Sequence, residues 1–304
     1  MSVAATLSGC GTALVTPFTA RGTVDEPALR ALVTAQLAVG IDFLVPCGST
    51  GEAATLSVDE HVRVVALVVE VANGRVPVIA GAGSNDTAKA VAMTRAVAKA
   101  GATHVLHVSP MYNKPPQRGI IAHFTTIADA SPVPVMLYNV PSRTGSNMEA
   151  DTTLTLAEHE QIVAMKEASG NLAQIDVLLR DRPAGFAVFS GDDAFTLPMM
   201  ALGADGVVSV VSNVFPAGMV QLAAAMLNAD ITRGRSLHRA MLPFFSAAFI
   251  ESNPIPAKSV LAARGVMENV LRSPLVPLAQ GHTLALQRAV ADVHDALALL
   301  GVAS

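Results

Sequence analysis

The sequence predicts a single (β/α)8 TIM barrel followed by a C-terminal helical appendage, on three observations. Short β-rich runs alternate with helical patterns from the start to about Ala225, eight such repeats can be counted, and the 304 residues exceed the roughly 250 of one barrel by enough for an appendage. Strand and helix in alternation make a parallel sheet, and eight repeats point to closure into a barrel rather than to an open doubly wound sheet.

Taken in chain order, β-branched and apolar runs bounded by Gly, Pro, Asn and Ser place strands at residues 11–18, 42–48, 77–83, 104–110, 133–140, 162–168, 187–192 and 206–212. The stretches between them, rich in Ala, Leu and Val at helical spacing, place helices at 26–39, 58–71, 87–100, 118–130, 151–158, 172–179, 194–202 and 216–227. Beyond the eighth repeat, helical patterns recur around 232–248, 256–263 and 283–300. Residues 1–228 are therefore read as the barrel and 229–304 as a helical region that serves packing or oligomerisation without chemistry of its own.

Composition excludes several function classes. Hydrophobic residues make up 51% of the chain, yet they fall in runs broken by Gly, Pro and charge, short of the roughly 18 apolar residues of a membrane span. The N-terminus shows neither a basic segment nor a long apolar one, so a cytoplasmic setting is expected. Two cysteines, Cys10 and Cys47, build no disulfide framework and read as small core residues. With 20 Lys+Arg against 24 Asp+Glu and no basic run, the chain lacks the electrostatic footprint of a nucleic-acid binder, and a small-molecule partner is expected. The eight histidines show no metal-binding spacing, and no phosphate-cradling glycine motif occurs, so neither a metal nor a nucleotide is predicted. His104 and His107, in an apolar strand, read as core or rim histidines.

A barrel of this kind assembles its chemistry at the C-terminal ends of its strands. There the sequence places Gly48-Ser49-Thr50-Gly51-Glu52, Tyr112-Asn113-Lys114, Tyr138 through Gly145, Lys166 and Ser190-Gly191-Asp192-Asp193. Lys166 is the most informative, because an ammonium in an apolar strand is costly unless it is paired or its pKa falls. A neutral amine attacks carbonyls and forms a Schiff base that acts as an electron sink; the alternative is a structural lysine paired with Glu167 or a loop carboxylate. Hydroxyls that both donate and accept suit the proton transfers such chemistry needs, and Tyr112, Tyr138, Ser49 and Thr50 are the candidates. Both tyrosines of the chain sit at strand ends, where they either move protons or cap loops. Arg143 carries a forked cation suited to a carboxylate, or is a surface arginine.

In order and spacing these motifs, with Lys166-Glu167-Ala168-Ser169-Gly170-Asn171, resemble the dihydrodipicolinate synthase/N-acetylneuraminate lyase family from Gly9 to at least Lys258. The resemblance implies a class I lyase in which Lys166 forms an imine with pyruvate, with no cofactor beyond that covalent imine. It implies that Ser49 and Thr50 hold the pyruvate carboxylate or relay protons, that Tyr138 is the general acid/base, and that Gly191 and Val208 line the pyruvate pocket. Tyr112 matches a tyrosine that reaches into a neighbouring subunit, implying a tight dimer and, in this family, a tetramer built as a dimer of dimers. Arg143 resembles the synthase branch, where it binds the carboxylate of L-aspartate 4-semialdehyde, and the run Asn253-Pro254-Ile255-Pro256-Ala257-Lys258 resembles that branch too. The implied product is 4-hydroxy-tetrahydrodipicolinate, on the diaminopimelate route to lysine; the alternative is a related pyruvate-dependent aldolase such as N-acetylneuraminate lyase.

Ser49 stands where synthases usually carry Thr. Synthases inhibited by lysine resemble this chain at Ala54, His61 and Asn85, but usually carry His where Val58 stands, Glu where Lys89 stands and Tyr at Met111. Lys89 offers a lysine ammonium a like charge where an opposite one is needed. Feedback inhibition by lysine is therefore predicted to be weak or absent, and half-maximal inhibition at submillimolar lysine in a steady-state assay contradicts this.

Overall fold

The computed structural model describes residues 7–302. The chain opens with β1 (Gly9–Ala13), α1 (Glu26–Ala38), β2 (Phe43–Val45), α2 (Val58–Ala72), β3 (Ile79–Gly81), α3 (Thr87–Lys99), β4 (His104–Val108) and α4 (Gln117–Ala130). It continues with β5 (Val135–Asn139), the one-turn α5 (Pro141–Thr144), α6 (Ala150–Ala157), β6 (Ile162–Glu167), α7 (Leu172–Asp181), β7 (Ala187–Ser190), α8 (Thr196–Ala201), β8 (Gly206–Ser209) and α9 (Pro216–Leu227). Three further helices follow: α10 (Ile231–Ala247), α11 (Ile255–Ala263) and α12 (Gln280–Leu299).

The strands are all parallel, in the order β2-β1-β8-β7-β6-β5-β4-β3. A bridge between Leu44 and Val78 joins the two ends, with Leu44 N–H donating to the Pro77 carbonyl at 3.0 Å and Gly81 N–H to the Pro46 carbonyl at 2.9 Å. This is the (β/α)8 barrel that the alternation predicts. Helix starts follow local chemistry: the Ser57 hydroxyl and the Glu60 carboxylate cap α2 reciprocally, and Asp25, Asp86 and Asn171 accept N–H groups at the starts of α1, α3 and α7.

The predicted strands run past the observed ones mostly at their C-terminal ends. Residues 14 to 18 show why: they stay buried and, Thr16 apart, apolar like a strand, but after Leu14 their polar groups leave the ladder. Val15 N–H goes to Asn213 Oδ1 at 3.1 Å and the Thr16 hydroxyl to the Gly51 carbonyl at 2.7 Å. Hydrophobicity alone does not distinguish these residues from paired strand. The one-turn helix α5, inside the run from Tyr138 to Gly145, is also absent from the sequence prediction.

Two apolar cores result from the two faces of the strands. The outer core packs sheet against helices, and the inner one fills the barrel with Phe43, Ile79, Met136, Phe189 and Val208 among others. Phe43 and Phe189 meet edge to face with centroids 5.2 Å apart. Gly11 makes that layer possible, since a Cβ there would lie 1.9 Å from the Phe43 ring. The interior is thus filled by side chains below, and the cleft among the barrel strands opens at their C-terminal mouth. Among the described residues no helix is long and apolar enough to cross a membrane.

The C-terminal region is tied to that mouth. Lys258 on α11 is 0% exposed; its Nζ lies 2.6 Å from Glu52 Oε1 and 2.9 Å from the Thr16 carbonyl oxygen. Glu52 Oε2 also accepts the Arg272 N–H at 3.0 Å, and the Arg272 guanidinium grips Glu60 and the carbonyls of Gly22 and Thr55. The Phe18 ring centroid lies 4.4 Å from both cations. Removing one partner of such a buried pair leaves an uncompensated charge at a cost of about 3–5 kcal/mol. Lys258→Met should lower unfolding free energy by about that much in denaturant melts, and adding Glu52→Gln should recover more than half; a single variant within about 1 kcal/mol of the parent contradicts this account of the pair.

Candidate active site

The alternation of strand side chains decides which polar groups enter the mouth. On β6, Ala164 belongs to the inner core and Met165 to the outer one, so Lys166 points inward and Glu167 outward. On β5, Met136 and Tyr138 face inward likewise, and the register sets Tyr138 beside Lys166. Lys166 Nζ accordingly lies 4.4 Å from the Tyr138 ring centroid. Lys166 is only 5% exposed.

Its paired alternative can be tested directly. Glu167 is committed on the outer face, where Asn139 Nδ2 donates to it at 3.0 Å and Ser169 N–H also donates. Among the described residues no carboxylate lies within ion-pairing distance of Lys166. Burial pushes the Lys166 amine down to about 8, further lowered by the Arg143 charge and opposed by Asp193 and Asp192. Burial likewise pushes the Tyr138 phenol up to about 12. At neutral pH Tyr138 is therefore a proton-bearing phenol beside an amine near its titration point.

Two carboxylates beyond β7 complete the electrostatics. Asp193 is buried and accepts the Ser209 hydroxyl and the N–H groups of Val210 and Val211 at 3.0 and 3.2 Å; burial still pushes it up to about 6. Asp192, half-buried at the cleft wall, is raised by burial as well. Gly191 between strand and acids is a matter of space: a Cβ there would sit 3.0 Å from Lys166 Cγ and 3.1 Å from Lys166 Cε. Only glycine leaves the lysine stem its path.

The cleft at the mouth measures about 230 Å³. Of the residues singled out in the sequence, it gathers Ser49, Thr50, Tyr138, Arg143, Lys166 and Gly191. Thr50 is 3% exposed, while Ser49 and Arg143 stand exposed at the rim. The N–H groups of Ser49 and Thr50 have no acceptor among the described residues, whereas those of Gly51 and Glu52 are spent within the turn. Two residues do not join the cleft in this chain. Val208 lies fully buried in the inner core one layer below, and Val210 lines the cleft instead. Tyr112 is 89% exposed on the loop after β4, its backbone held at a positive φ of 71°. Sequence reasoning named Ser142, Asp192 and Asn253 within its motifs without giving them a role, and it passed over Val210 and Phe249 as lining residues. Phe249 and Asn253 come from the C-terminal region, which thus contributes to the cleft and is more than packing.

Comparison with known proteins bears on what this cleft does. The model of the dihydrodipicolinate synthetase family matches residues 6–293. The chain is 50% identical over 287 residues to the 4-hydroxy-tetrahydrodipicolinate synthase of Koribacter versatilis, covering 94% of this chain and 96% of that protein. Among solved structures, the 4-hydroxy-tetrahydrodipicolinate synthase of Methylacidiphilum fumariolicum SolV superposes with a TM-score of 0.95 at 40% identity, covering 97% of this chain and 98% of that one. The chloride-inhibited dihydrodipicolinate synthase of Acinetobacter baumannii complexed with pyruvate gives 0.93 at 39% identity, covering 95% and 99%.

An amine at about 8 has a pH signature. Deprotonation yields the nucleophile, so the rate of 2-oxo acid addition to Lys166 in stopped flow should rise with pH and level off above about 8. A rate still climbing toward the ~10.4 of an unperturbed lysine contradicts the buried, unpaired state.

Proposed function

The chain belongs to the dihydrodipicolinate synthetase family, and we propose that it is a lyase that condenses pyruvate with L-aspartate 4-semialdehyde to give 4-hydroxy-tetrahydrodipicolinate. The observation that carries this reading is the buried, unpaired Lys166 beside Tyr138 in a cleft rimmed by Arg143. The alternative of a sugar-acid aldolase is not favoured, because the relatives described above are synthases, and the Arg143 guanidinium at the cleft rim is suited to a second carboxylate.

The reaction starts with the neutral Lys166 amine attacking the C2 carbonyl of pyruvate. The carbinolamine loses water to an imine, and loss of a C3 proton gives the enamine, with the electron pair held through the imine nitrogen. The pyruvate carboxylate meets the unspent N–H groups of Ser49 and Thr50 and the Thr50 hydroxyl. The enamine carbon adds to the aldehyde carbon of the semialdehyde, whose oxygen takes up a proton. The substrate amine then attacks the imine carbon, displaces Lys166 as a free amine and closes the ring. Tyr138, kept neutral by a phenol at about 12, is suited to hand over and retrieve these protons. Every carbon–carbon and carbon–nitrogen bond is made or broken among substrate atoms and Lys166, with protons moved by side chains, so the scheme calls on no further cofactor.

Tyr112 supports an oligomer. A tyrosine 89% exposed at a fixed loop tip is suited to cover by a second subunit, in keeping with a tetramer built as a dimer of dimers. The setting proposed is the cytoplasm.

Turnover should be read by coupling the product to a reductase. Lys166→Ala should abolish the signal. Arg143→Ala should leave the pyruvate adduct on Lys166 intact but cut turnover of aspartate semialdehyde about 100-fold, the equivalent of losing a charge-assisted pair worth about 3 kcal/mol. Undiminished turnover in Arg143→Ala overturns the assignment of the second substrate.

A further inference from the structure

Asn253 sits just before α11, 203 residues away in sequence from the hydroxyl it touches, and is 5% exposed. Its Nδ2 donates to Thr50 Oγ1 at 2.9 Å, and both residues line the cleft that holds Lys166. No other hydrogen bond reaches the Thr50 hydroxyl among the described residues. A hydroxyl has one hydrogen and two lone pairs. With one lone pair occupied by an amide donor, the hydroxyl hydrogen is directed away from Asn253 and is left for another acceptor.

We propose that Asn253 is a positioning residue that acts through Thr50, making its hydroxyl a donor to the carboxylate of the bound 2-oxo acid. The inference rests on the reading of the cleft as a pyruvate site and adds to it a role for the C-terminal region. A carboxylate presents only acceptors, so a hydroxyl free to turn a lone pair toward it would repel as readily as bind. The amide removes that freedom before the ligand arrives, which is where preorganised hydrogen bonds gain their effect. Asn253 touches no reacting atom in this scheme. Its influence falls on affinity for the 2-oxo acid and leaves the later carbon–carbon step alone.

The test is a double-mutant cycle read on pyruvate alone. Borohydride trapping followed by intact-mass measurement gives the pyruvate concentration that half-saturates Lys166, without any second substrate. Asn253→Leu keeps most of the side-chain volume and removes the donor; it should raise that concentration about tenfold, or about 1.4 kcal/mol. In a Thr50→Val background the same change should add less than about twofold, because its target hydroxyl is gone. Equal multiples in both backgrounds, or no change in the single variant, overturn the proposal. If the leucine variant melts well below the parent, Asn253→Ala, which also removes the donor but at reduced volume, is cycled in its place under the same criterion. In steady state the KM for pyruvate should rise while kcat and the KM for the aldehyde stay within about twofold; a fall in kcat alone counts against a role in positioning. A parent enzyme that traps no pyruvate would overturn the function reading and this inference with it, whereas an additive cycle in an enzyme that does trap it overturns this inference only.

Discussion

A buried ammonium without a counter-charge is the constraint around which the rest of this molecule is arranged. The chain has five lysines, of which Lys89, Lys99 and Lys114 are exposed and Lys166 and Lys258 are buried. The buried two are treated in opposite ways. Lys258 has a carboxylate at 2.6 Å and a carbonyl at 2.9 Å, so its charge is met and it serves as a tie between the C-terminal region and the barrel. Lys166 faces an aromatic ring, with acids close enough to moderate its pKa and, among the described residues, none close enough to pair. Desolvation that is compensated holds a fold together; left uncompensated, it supplies a nucleophile.

Much of the surrounding architecture keeps Lys166 in that state. Strand alternation sends Glu167, its neighbour in sequence, to the other side of the sheet, where Asn139 and Ser169 occupy it. Gly191 leaves the lysine stem room, and Asp193 is anchored by Ser209 and two backbone N–H groups. The Glu52–Lys258–Arg272 network ties down the turn that carries Ser49 and Thr50, which line the same cleft as the amine.

Much of this was legible in the sequence because two periodicities carry it. Strand–helix alternation predicts the barrel, and polar motifs at the strand ends predict most of the cleft. What escaped has physical reasons. Residues 14 to 18 are as buried as any strand, and only their hydrogen-bond partners, distant in sequence, show that the ladder has ended. Val208 lies on β8 in the inner core and Val210 just past the strand end lines the cleft, a difference that no local pattern encodes. Asn253 is joined to Thr50 only by folding across 203 residues, so its motif resembles a stiff turn until the structure shows what the amide touches.

The most direct test of the central claim is to reduce the enzyme with borohydride in the presence of pyruvate and to map the modified peptide by mass spectrometry. A single adduct on Lys166, with Lys258 and the three exposed lysines unmodified, is the result this account predicts. An adduct on any other lysine, or none on Lys166 when pyruvate is in excess, would contradict it.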